Sequence, residues 1–327
     1  MPKGVWNLKD VTTMKAVILT EAGGTENFSV EEIAVPEIQP KEVLVKVHAI
    51  AINPVDMKTR KGGAFLAKLQ EQEPVILGWD ISGEVQEVGK DVSLFKPGDE
   101  VFGMVNFPGS GRAYAEYVAA PEEHLALKPK NISHEEAAAT TLAALTAWQV
   151  LVHEAKLSQG QQILIHAAAG GVGHYAVQIA KHLGAKVIGT ASASNEDFLT
   201  EIGVDVPIDY MSSNFEDQIE QVDIVLDPIG GETTERSLQT LKKGGILVSI
   251  VGGVKDHLNS IIEEKGITAK NYLVHSSGSD MKQLAELLEK GIIKPHISHR
   301  FSFEEIAEAH HQIESGRTRG KIVLTLV

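Results

Sequence analysis

A short apolar strand that leads into a glycine-rich turn and then a helix is the feature that most restricts the fold of this chain. Residues 163–184 read ILIHAAAGGVGHYAVQIAKHLG, with Ala168, Gly170 and Gly173 in an Ala-x-Gly-x-x-Gly pattern. Glycine at the second and third positions lets the backbone approach a pyrophosphate and lets the helix pack closely on the strand. The segment therefore predicts a dinucleotide-binding turn, in which Ala168 departs from the strict pattern. The alternative is a structural turn that holds no ligand.

The segments around this turn alternate between short apolar strands and single helices. Ser133 and Glu136 predict a capping box for a helix that reaches Leu151, and further helices are predicted over 171–183, 195–202 and 232–241. Strands are predicted over 162–166, 186–190, 206–209, 223–227, 245–251 and 271–275. Strands joined by one-helix connections are typical of a parallel, doubly wound sheet. We therefore expect an α/β Rossmann domain over residues 133–275.

The two ends of the chain have a different, β-rich character. Alternating apolar residues predict strands over 14–19, 42–52 and 81–88, and a turn with a short strand over 95–103. The tail predicts amphipathic helices over 280–290 and 303–314, then a final strand over 321–327. That strand fits best as a partner of the N-terminal β unit. We therefore expect residues 14–132 and 276–327 to form one mostly β domain, with residues 1–13 as an extension.

The charge and the cysteine content exclude several classes of function. Thirty Lys and Arg against 44 Asp and Glu give a net charge of −14, which argues against general binding to nucleic acid or to anionic membranes. The chain has no cysteine, which removes disulfides, thiol nucleophiles and every zinc site that needs cysteine. No stretch reads as a membrane span or an apolar leader, so a cytoplasmic location is the default expectation.

The residues at the end of the second strand of the predicted Rossmann domain indicate which nicotinamide cofactor the chain binds. NAD sites place an acidic side chain there to bind the ribose 2′-hydroxyl. This chain instead has the small hydroxyl side chains of Ser192 and Ser194, which leave room for a 2′-phosphate and can donate hydrogen bonds to it. The pattern favours NADPH over NADH, although no Lys or Arg is evident nearby in the sequence.

Several motifs spread over residues 14–327 resemble those of one protein family. They are Asn53-Pro-Val-Asp56 with Arg60 and Gly62, the runs 77–85 (LGWDISGEV) and 96–103 (KPGDEVFG), the helix at 137–149, the glycine run 167–173, and the runs 227–231 (DPIGG) and 316–324 (GRTRGKIVL). Together they resemble the medium-chain dehydrogenase/reductase superfamily, and within it the zinc-free quinone oxidoreductase branch with its NADPH-dependent alkenal/alkenone reductases. The resemblance implies a GroES-like β domain built from both chain ends, an inserted Rossmann domain, and an active site between them.

Two positions distinguish the chain from the zinc alcohol dehydrogenases of that superfamily. Asn53 stands where those enzymes carry a catalytic cysteine, and Trp79 stands where they carry a zinc-ligating histidine. The resemblance therefore implies that there is no metal site. We interpret the scattered histidines as surface or core residues. Trp79 is interpreted as a core residue by default, with a wall of the substrate pocket as the alternative.

The resemblance also assigns roles to individual residues. Asn53 would lie near the nicotinamide and the substrate carbonyl, Thr146 would lie near the nicotinamide, and Asp56 would order the loop. Lys58 stands where related enzymes have a tyrosine, so it could steady an enolate oxygen or be a solvated surface lysine, and water is another proton source. The residues expected to bind the cofactor are Asn53, Thr146, Ala168, Gly170, Gly171, Val172, Gly173, Ser192, Ser194, Tyr210 and Asp227, of which Asp227 could equally cap backbone groups.

The lack of a zinc site affects which substrates are reasonable. Reduction of a simple aldehyde develops a basic alkoxide, which needs a Lewis acid or a poised proton donor. Hydride addition to an enal, an enone or a quinone develops a weaker base, for which a hydrogen bond and good positioning suffice. We therefore expect a zinc-independent, NADPH-dependent reductase of quinones or α,β-unsaturated carbonyl compounds. The alternatives are the same fold acting on another acceptor, such as an enoyl thioester, and a structural or regulatory cofactor-binding protein with little turnover.

The resemblance further implies how the chain assembles. Relatives of this kind commonly pair by extending the Rossmann sheet across a two-fold axis. We therefore expect a homodimer whose interface uses residues 271–275 or the strand before them.

Overall fold

The computed structural model describes residues 12–63 and 65–326 of the chain. The predicted extension, residues 1–13, lies outside the described residues except for its last two positions, and the end of the predicted final strand, residue 327, also lies outside them. In the described part of the chain, no helix combines the length and the apolar character needed to cross a membrane.

The described residues form strands in three sheets. In chain order the strands are β1 Thr13–Leu19, β2 Phe28–Ala34, β3 Glu42–Ile52, β4 Asp80–Val88, β5 Glu100–Met104, β6 Tyr117–Pro121, β7 Leu125–Leu127, β8 Gln162–Ile165, β9 Lys186–Ala191, β10 Val206–Asp209, β11 Val222–Asp227, β12 Leu241–Ser249, β13 Thr268–Asn271, β14 Ile297–Ser302 and β15 Lys321–Thr325.

The α-helices connect these strands. In chain order they are α1 Pro54–Arg60, α2 Leu66–Leu69, α3 His134–Trp148, α4 Gly171–His182, α5 Glu196–Glu201, α6 Glu232–Leu238, α7 Asn259–Lys265, α8 Gly278–Glu289 and α9 Ile306–Glu314. The helix predicted over 232–241 ends early, because Leu241 already belongs to β12. The sequence patterns did not predict the short helices α1, α2 and α7.

Six strands form a parallel sheet in the order β10-β9-β8-β11-β12-β13. Every neighbouring pair in this sheet is parallel. The predicted α/β fold class, with a doubly wound Rossmann sheet, is therefore confirmed. The strand order reverses between β8 and β11, and ligands of open α/β sheets bind at such a switch point, beyond the carboxyl ends of the strands.

The last strand of this sheet was predicted at the wrong position. The sequence analysis placed it over 271–275, whereas β13 pairs with β12 from Thr268 to Asn271. After Asn271 the chain leaves the sheet, and the backbone N–H of His275 donates to Oε1 of Gln149 at 3.1 Å. The hydroxyl of Tyr272 also donates to Oε1 of Gln149, so this segment is bonded to the end of α3 instead of continuing the ladder.

The second large sheet joins the two ends of the chain. Its order is β14-β15-β3-β4-β5-β7, and β6 also pairs with β3. The C-terminal strand β15 is antiparallel to β3, with Ile322 opposite Ile52 and Thr325 opposite Ala49. The prediction that the final strand completes the N-terminal β unit is confirmed. The strands β2 and β14 were not predicted, because their charged and polar residues leave no clear apolar alternation.

The alanine-rich helix α3 lies between the two sheets. Its predicted capping box is present, since the N–H of Glu136 donates to Oγ of Ser133 and the N–H of Ser133 donates to the Glu136 carboxylate. All of its residues from Ala137 to Ala147 are buried. The small side chains let α3 pack against β3 and β4 on one side and against α4 on the other. It therefore fixes the position of the β domain relative to the Rossmann sheet.

Close packing at the start of α4 predicts that Gly173→Ala destabilises the fold. A Cβ at position 173 would lie 2.2 Å from the carbonyl oxygen of Ala167 and 2.7 Å from Cα of Ala168. We expect the free energy of unfolding, measured by urea titration, to fall by about 1–3 kcal/mol. Gly171→Ala is the matched control, because the nearest atom to its Cβ would be Cδ of Lys321 at 3.4 Å. Equal urea midpoints for the two variants would contradict this prediction.

Candidate active site

Among the described residues, the backbone N–H groups of Gly171, Val172 and Gly173 at the start of α4 have no backbone acceptor. Gly170 is the N-cap of the helix, and the first turn contains no acidic residue. The helix dipole and its unpaired N–H groups therefore favour an anion at this end. The predicted binding residues Gly171, Val172 and Gly173 form that first turn.

Ala168 fits the turn because the neighbouring strand carries a glycine. Ala168 is fully buried, and its backbone N–H donates to the carbonyl of Thr190 at 2.9 Å. A Cβ on Gly189 would lie 2.9 Å from Cβ of Ala168. The methyl group of Ala168 therefore uses the space that a side chain on β9 would need. The glycine at position 189 therefore makes room for alanine at position 168, where the strict pattern has glycine.

The end of β9 carries the hydroxyl groups predicted to bind a 2′-phosphate. Oγ of Ser192 lies 3.1 Å from Oγ of Ser194 and accepts a hydrogen bond from Nδ2 of Asn195 at 2.9 Å. Beside them is a cavity of about 70 Å³ lined by Ala191, Ser192, Ala193, Glu196, Leu199, Pro207, Ile208 and Asp209. Tyr210 follows this lining, and its backbone N–H donates to the carbonyl of Ala191. Ser192, Ser194 and the backbone of Tyr210 thus lie at the same edge of the sheet, and their binding of a 2′-phosphate stays a prediction.

An arginine from the distant C-terminal loop supplies positive charge at this end of the site. Nε of Arg319 donates to Oδ1 of Asn195 at 2.7 Å, and its Nη2 donates to the carbonyl of Ser194 at 2.9 Å. Its guanidinium also stacks over the ring of Phe198 at 5.2 Å. The sequence analysis found no Lys or Arg near the serines, and the structure corrects this. The signal was present in the run at 316–324, which was quoted only as a family motif.

The residues after Arg319 run along the glycine turn towards Asn53. The N–H of Gly320 donates to the carbonyl of Ala169 at 2.8 Å. Nζ of Lys321 donates to Oδ1 of Asn53 at 2.5 Å. The segment 319–321 therefore contacts the serine cluster, the glycine turn and Asn53 in succession. Together with the free N–H groups of α4 and the charge of Arg319, this arrangement fits a nicotinamide dinucleotide.

Asn53 lies in a buried polar network. Its Nδ2 donates to Oδ2 of Asp80 at 2.7 Å, while Oδ1 of Asp80 accepts the N–H of Leu142 at 3.1 Å. Burial raises the pKa of the Asp80 carboxyl and lowers the pKa of the Lys321 ammonium. The hydrogen bonds that Asp80 accepts, and the two oxygens to which Lys321 donates, favour the charged forms of both.

Asp56 orders the turn that carries Asn53. Oδ2 of Asp56 accepts the backbone N–H of Asn53 at 2.6 Å, which is the role that the resemblance implied. Asp56 is fully buried, and burial raises the pKa of its carboxyl to about 8. The carboxyl is therefore largely protonated at neutral pH.

Of the other predicted catalytic residues, Thr146 is buried and Lys58 is exposed. Thr146 is buried on α3, and its Oγ1 donates to the carbonyl of Leu142, whose N–H binds Asp80. Thr146 is thus one helical turn from the Asn53 network. Lys58 lies on α1, and its side chain is exposed, which agrees with the alternative of a surface lysine.

Asp227 is buried at the carboxyl end of β11. Its Oδ1 accepts the N–H groups of Ile229 and Gly230 at 2.9 Å, and its Oδ2 accepts the hydroxyl of Thr234. Of the two alternatives for this residue, the structure shows the backbone cap. Its contact with a cofactor stays a prediction.

Trp79 lies in an aromatic cluster next to the Asn53 network. The side chain is fully buried, its ring packs edge-on against Phe65 and Phe107, and its Nε1 donates to the carbonyl of Gly109. The default interpretation as a core residue is therefore confirmed.

Two negative observations apply to the described part of the chain. Over residues 12–63 and 65–326, no group of three or more His, Asp or Glu side chains is arranged to hold a metal ion. A groove of about 1020 Å³ lies between β7 and α8, and none of the predicted site residues line it.

Two known protein families match different parts of this chain. The alcohol dehydrogenase GroES-like domain family matches residues 39–130, and the zinc-binding dehydrogenase family matches residues 202–324. The 2-methylene-furan-3-one reductase of Solanum lycopersicum is 37% identical over 321 residues, which cover 95% of this chain and 79% of that protein. The chloroplastic NADPH-dependent alkenal/one oxidoreductase of Arabidopsis thaliana is 36% identical, with the same coverage.

A solved structure agrees with the fold over nearly the whole chain. The quinone oxidoreductase from Coxiella burnetii superposes with a TM-score of 0.90 at 36% sequence identity, and the match covers 96% of this chain and all of that one. It follows from these matches, and from a Rossmann sheet joined to a GroES-like sheet built from both chain ends, that the chain belongs to the quinone oxidoreductase branch of the medium-chain dehydrogenase/reductase superfamily.

Proposed function

We propose that this chain reduces a quinone or an α,β-unsaturated carbonyl compound with a hydride from NADPH and needs no zinc. The observation that carries the proposal is the segment 319–321, which connects the expected phosphate site to Asn53. The names of the Arabidopsis relative and the Coxiella structure support this class of substrate. Asn53 and Trp79, at the positions of two zinc ligands in zinc dehydrogenases, support the independence from zinc.

The residues of the site would hold the cofactor by its anionic groups. The N–H groups at the start of α4 would bind the pyrophosphate, and Arg319 with Ser192 and Ser194 would bind the 2′-phosphate. When bound, the nicotinamide supplies a hydride, which carries two electrons to the substrate. Thr146 and Asn53 would lie beside it.

The reaction is completed by one proton. Hydride addition to the β-carbon of an enal or enone leaves an enolate, and a proton from water or Lys58 to the α-carbon gives the saturated carbonyl compound. A hydrogen bond from Asn53 to the enolate oxygen would lower the barrier to hydride addition. A quinone would accept the same hydride to give a phenolate-like anion and then the hydroquinone.

Cofactor oxidation by the purified protein tests the proposed function. We expect turnover of a 2-alkenal and of a naphthoquinone with NADPH, no turnover of a saturated aldehyde, and no effect of a metal chelator. Chelator-sensitive oxidation of saturated alcohols would contradict the zinc-independent mechanism. Turnover of an enoyl thioester in place of the free carbonyl compounds would favour that alternative, and thermal stabilisation by NADPH without any turnover would favour a structural or regulatory role.

Replacement of Arg319 tests the preference for NADPH. Loss of a charge-assisted hydrogen bond costs about 1.5–3 kcal/mol, so Arg319→Ala should raise the Kd of NADPH by about 10- to 100-fold and leave the Kd of NADH nearly unchanged. Binding can be followed by the fluorescence of the reduced cofactor. Arg300→Ala is a suitable control, because Arg300 is an arginine of β14 whose partner is Glu135. An equal loss of affinity for both cofactors would show that Arg319 does not select the 2′-phosphate.

We also propose that the chain is located in the cytoplasm and that it forms a homodimer. The strand β13 is an edge of the Rossmann sheet, and its outer N–H and C=O groups can pair with the same strand of a second copy. Light scattering should therefore give twice the chain mass of 35.3 kDa. A monomer mass at micromolar concentration would contradict the dimer.

A further inference from the structure

Lys321 is a fully buried lysine at the meeting point of four chain segments. Its Nζ donates to the carbonyl of Ile52 at 3.1 Å and to Oδ1 of Asn53 at 2.5 Å. Oδ2 of Asp80 lies 3.9 Å from the same nitrogen. A lysine is almost never fully buried unless it is paired, because removing the charge from water is costly.

These contacts fix the orientation of the Asn53 amide. A lysine ammonium only donates hydrogen bonds and an ionised carboxylate only accepts them, so the amide oxygen must face Lys321 and the amide nitrogen must face Asp80. The reverse orientation would place a donor against a donor and an acceptor against an acceptor. One hydrogen of Nδ2 binds Asp80, and the second has no partner among the residues that the structure describes.

Lys321 also connects Asn53 to the expected cofactor site. Gly320 is bonded to the glycine turn through Ala169, and Cδ of Lys321 lies near the position that a Cβ of Gly171 would take, at 3.4 Å. The ammonium therefore sits between the start of α4 and Asn53. The Asn53 amide is therefore held between Lys321 and Asp80, close to the segment 319–321 that runs along the glycine turn.

We propose that Lys321 is a positioning residue for the reduction: held by Asp80, it fixes the Asn53 amide so that the unpaired N–H binds the oxyanion that develops on the substrate. This inference rests on the proposed function. It gives the buried lysine a role in the rate of hydride transfer, in addition to its role in packing. Positioning of this kind matters because small displacements of a donor reduce the rate strongly.

The variants must separate positioning from folding. Lys321→Met removes the ammonium and keeps the length of the side chain, but it leaves Asp80 without its counter-ion. The double variant Lys321→Met/Asp80→Asn removes both charges together. The matched control is Lys128→Met, because Lys128 is also nearly buried, donates to the carbonyls of Pro129 and Ile132, and pairs with Glu100.

The first readout is kinetic. We expect both Lys321 variants to lose at least about tenfold in kcat, with the KM for NADPH within threefold of the wild type. The loss should be larger for a 2-alkenal than for a naphthoquinone, since the enolate is the stronger base. The isotope effect with deuterated NADPH should rise as hydride transfer becomes slower. A proportional loss on both acceptors with an unchanged isotope effect would overturn the proposal, as would a similar loss in Lys128→Met.

The second readout does not need turnover. In the presence of NADP⁺, 4-nitrophenolate mimics the oxyanion and 4-nitroanisole is its neutral counterpart. We expect the Lys321 variants to bind the phenolate at least about tenfold more weakly and the anisole equally well. Failure of the wild type to bind the phenolate, or an equal loss for both probes, would overturn the role of Lys321. Absence of turnover by a wild type that binds the phenolate through Lys321 would instead contradict the proposed function.

Discussion

The charge of one buried side chain holds together parts of the chain that are far apart in sequence. The ammonium of Lys321, at the start of β15, contacts the end of β3 at Ile52 and Asn53, and Asp80 of β4 lies beside it. Asp80 in turn binds the N–H of Leu142 in the middle of α3. Loss of one partner from such a buried pair costs about 3–5 kcal/mol. The alignment of the β domain, α3 and the glycine turn therefore depends on this network.

The fold was predictable where burial makes the sequence pattern strong. The strands β8, β9 and β11 are buried in a parallel sheet, so their apolar runs stand out from the flanking turns. β13 has no such signal, because Thr268, Ala269, Lys270 and Asn271 lie at a half-exposed edge of the sheet. A more apolar segment directly after it was chosen in error. At the edge, backbone pairing and not side-chain burial decides where the strand lies.

The part of the candidate site that the sequence predicted consists of residues that follow directly after predicted strands. Gly170, Gly173 and Ser192 follow strands whose ends the alternation located correctly. Arg319 and Lys321 reach the same site from separations of 125 and 268 residues, and no local pattern reports a contact of that kind. Arg319 lies just before the predicted final strand and Lys321 is its first residue, and at such positions both are ordinary surface residues by composition. Only the fold brings their charges to the serines and to Asn53.

The path of the segment 319–321 has a consequence for the order in which the molecule assembles. The Rossmann sheet contains the glycine turn, whereas Arg319 and Lys321 lie just before and at the start of β15, which pairs with the distant strand β3. Pairings between such distant segments form slowly, because the entropy of closing a long loop must be lost first. In a chain whose two ends have not paired, the expected cofactor site would therefore lack the charges of Arg319 and Lys321, even with the Rossmann sheet complete.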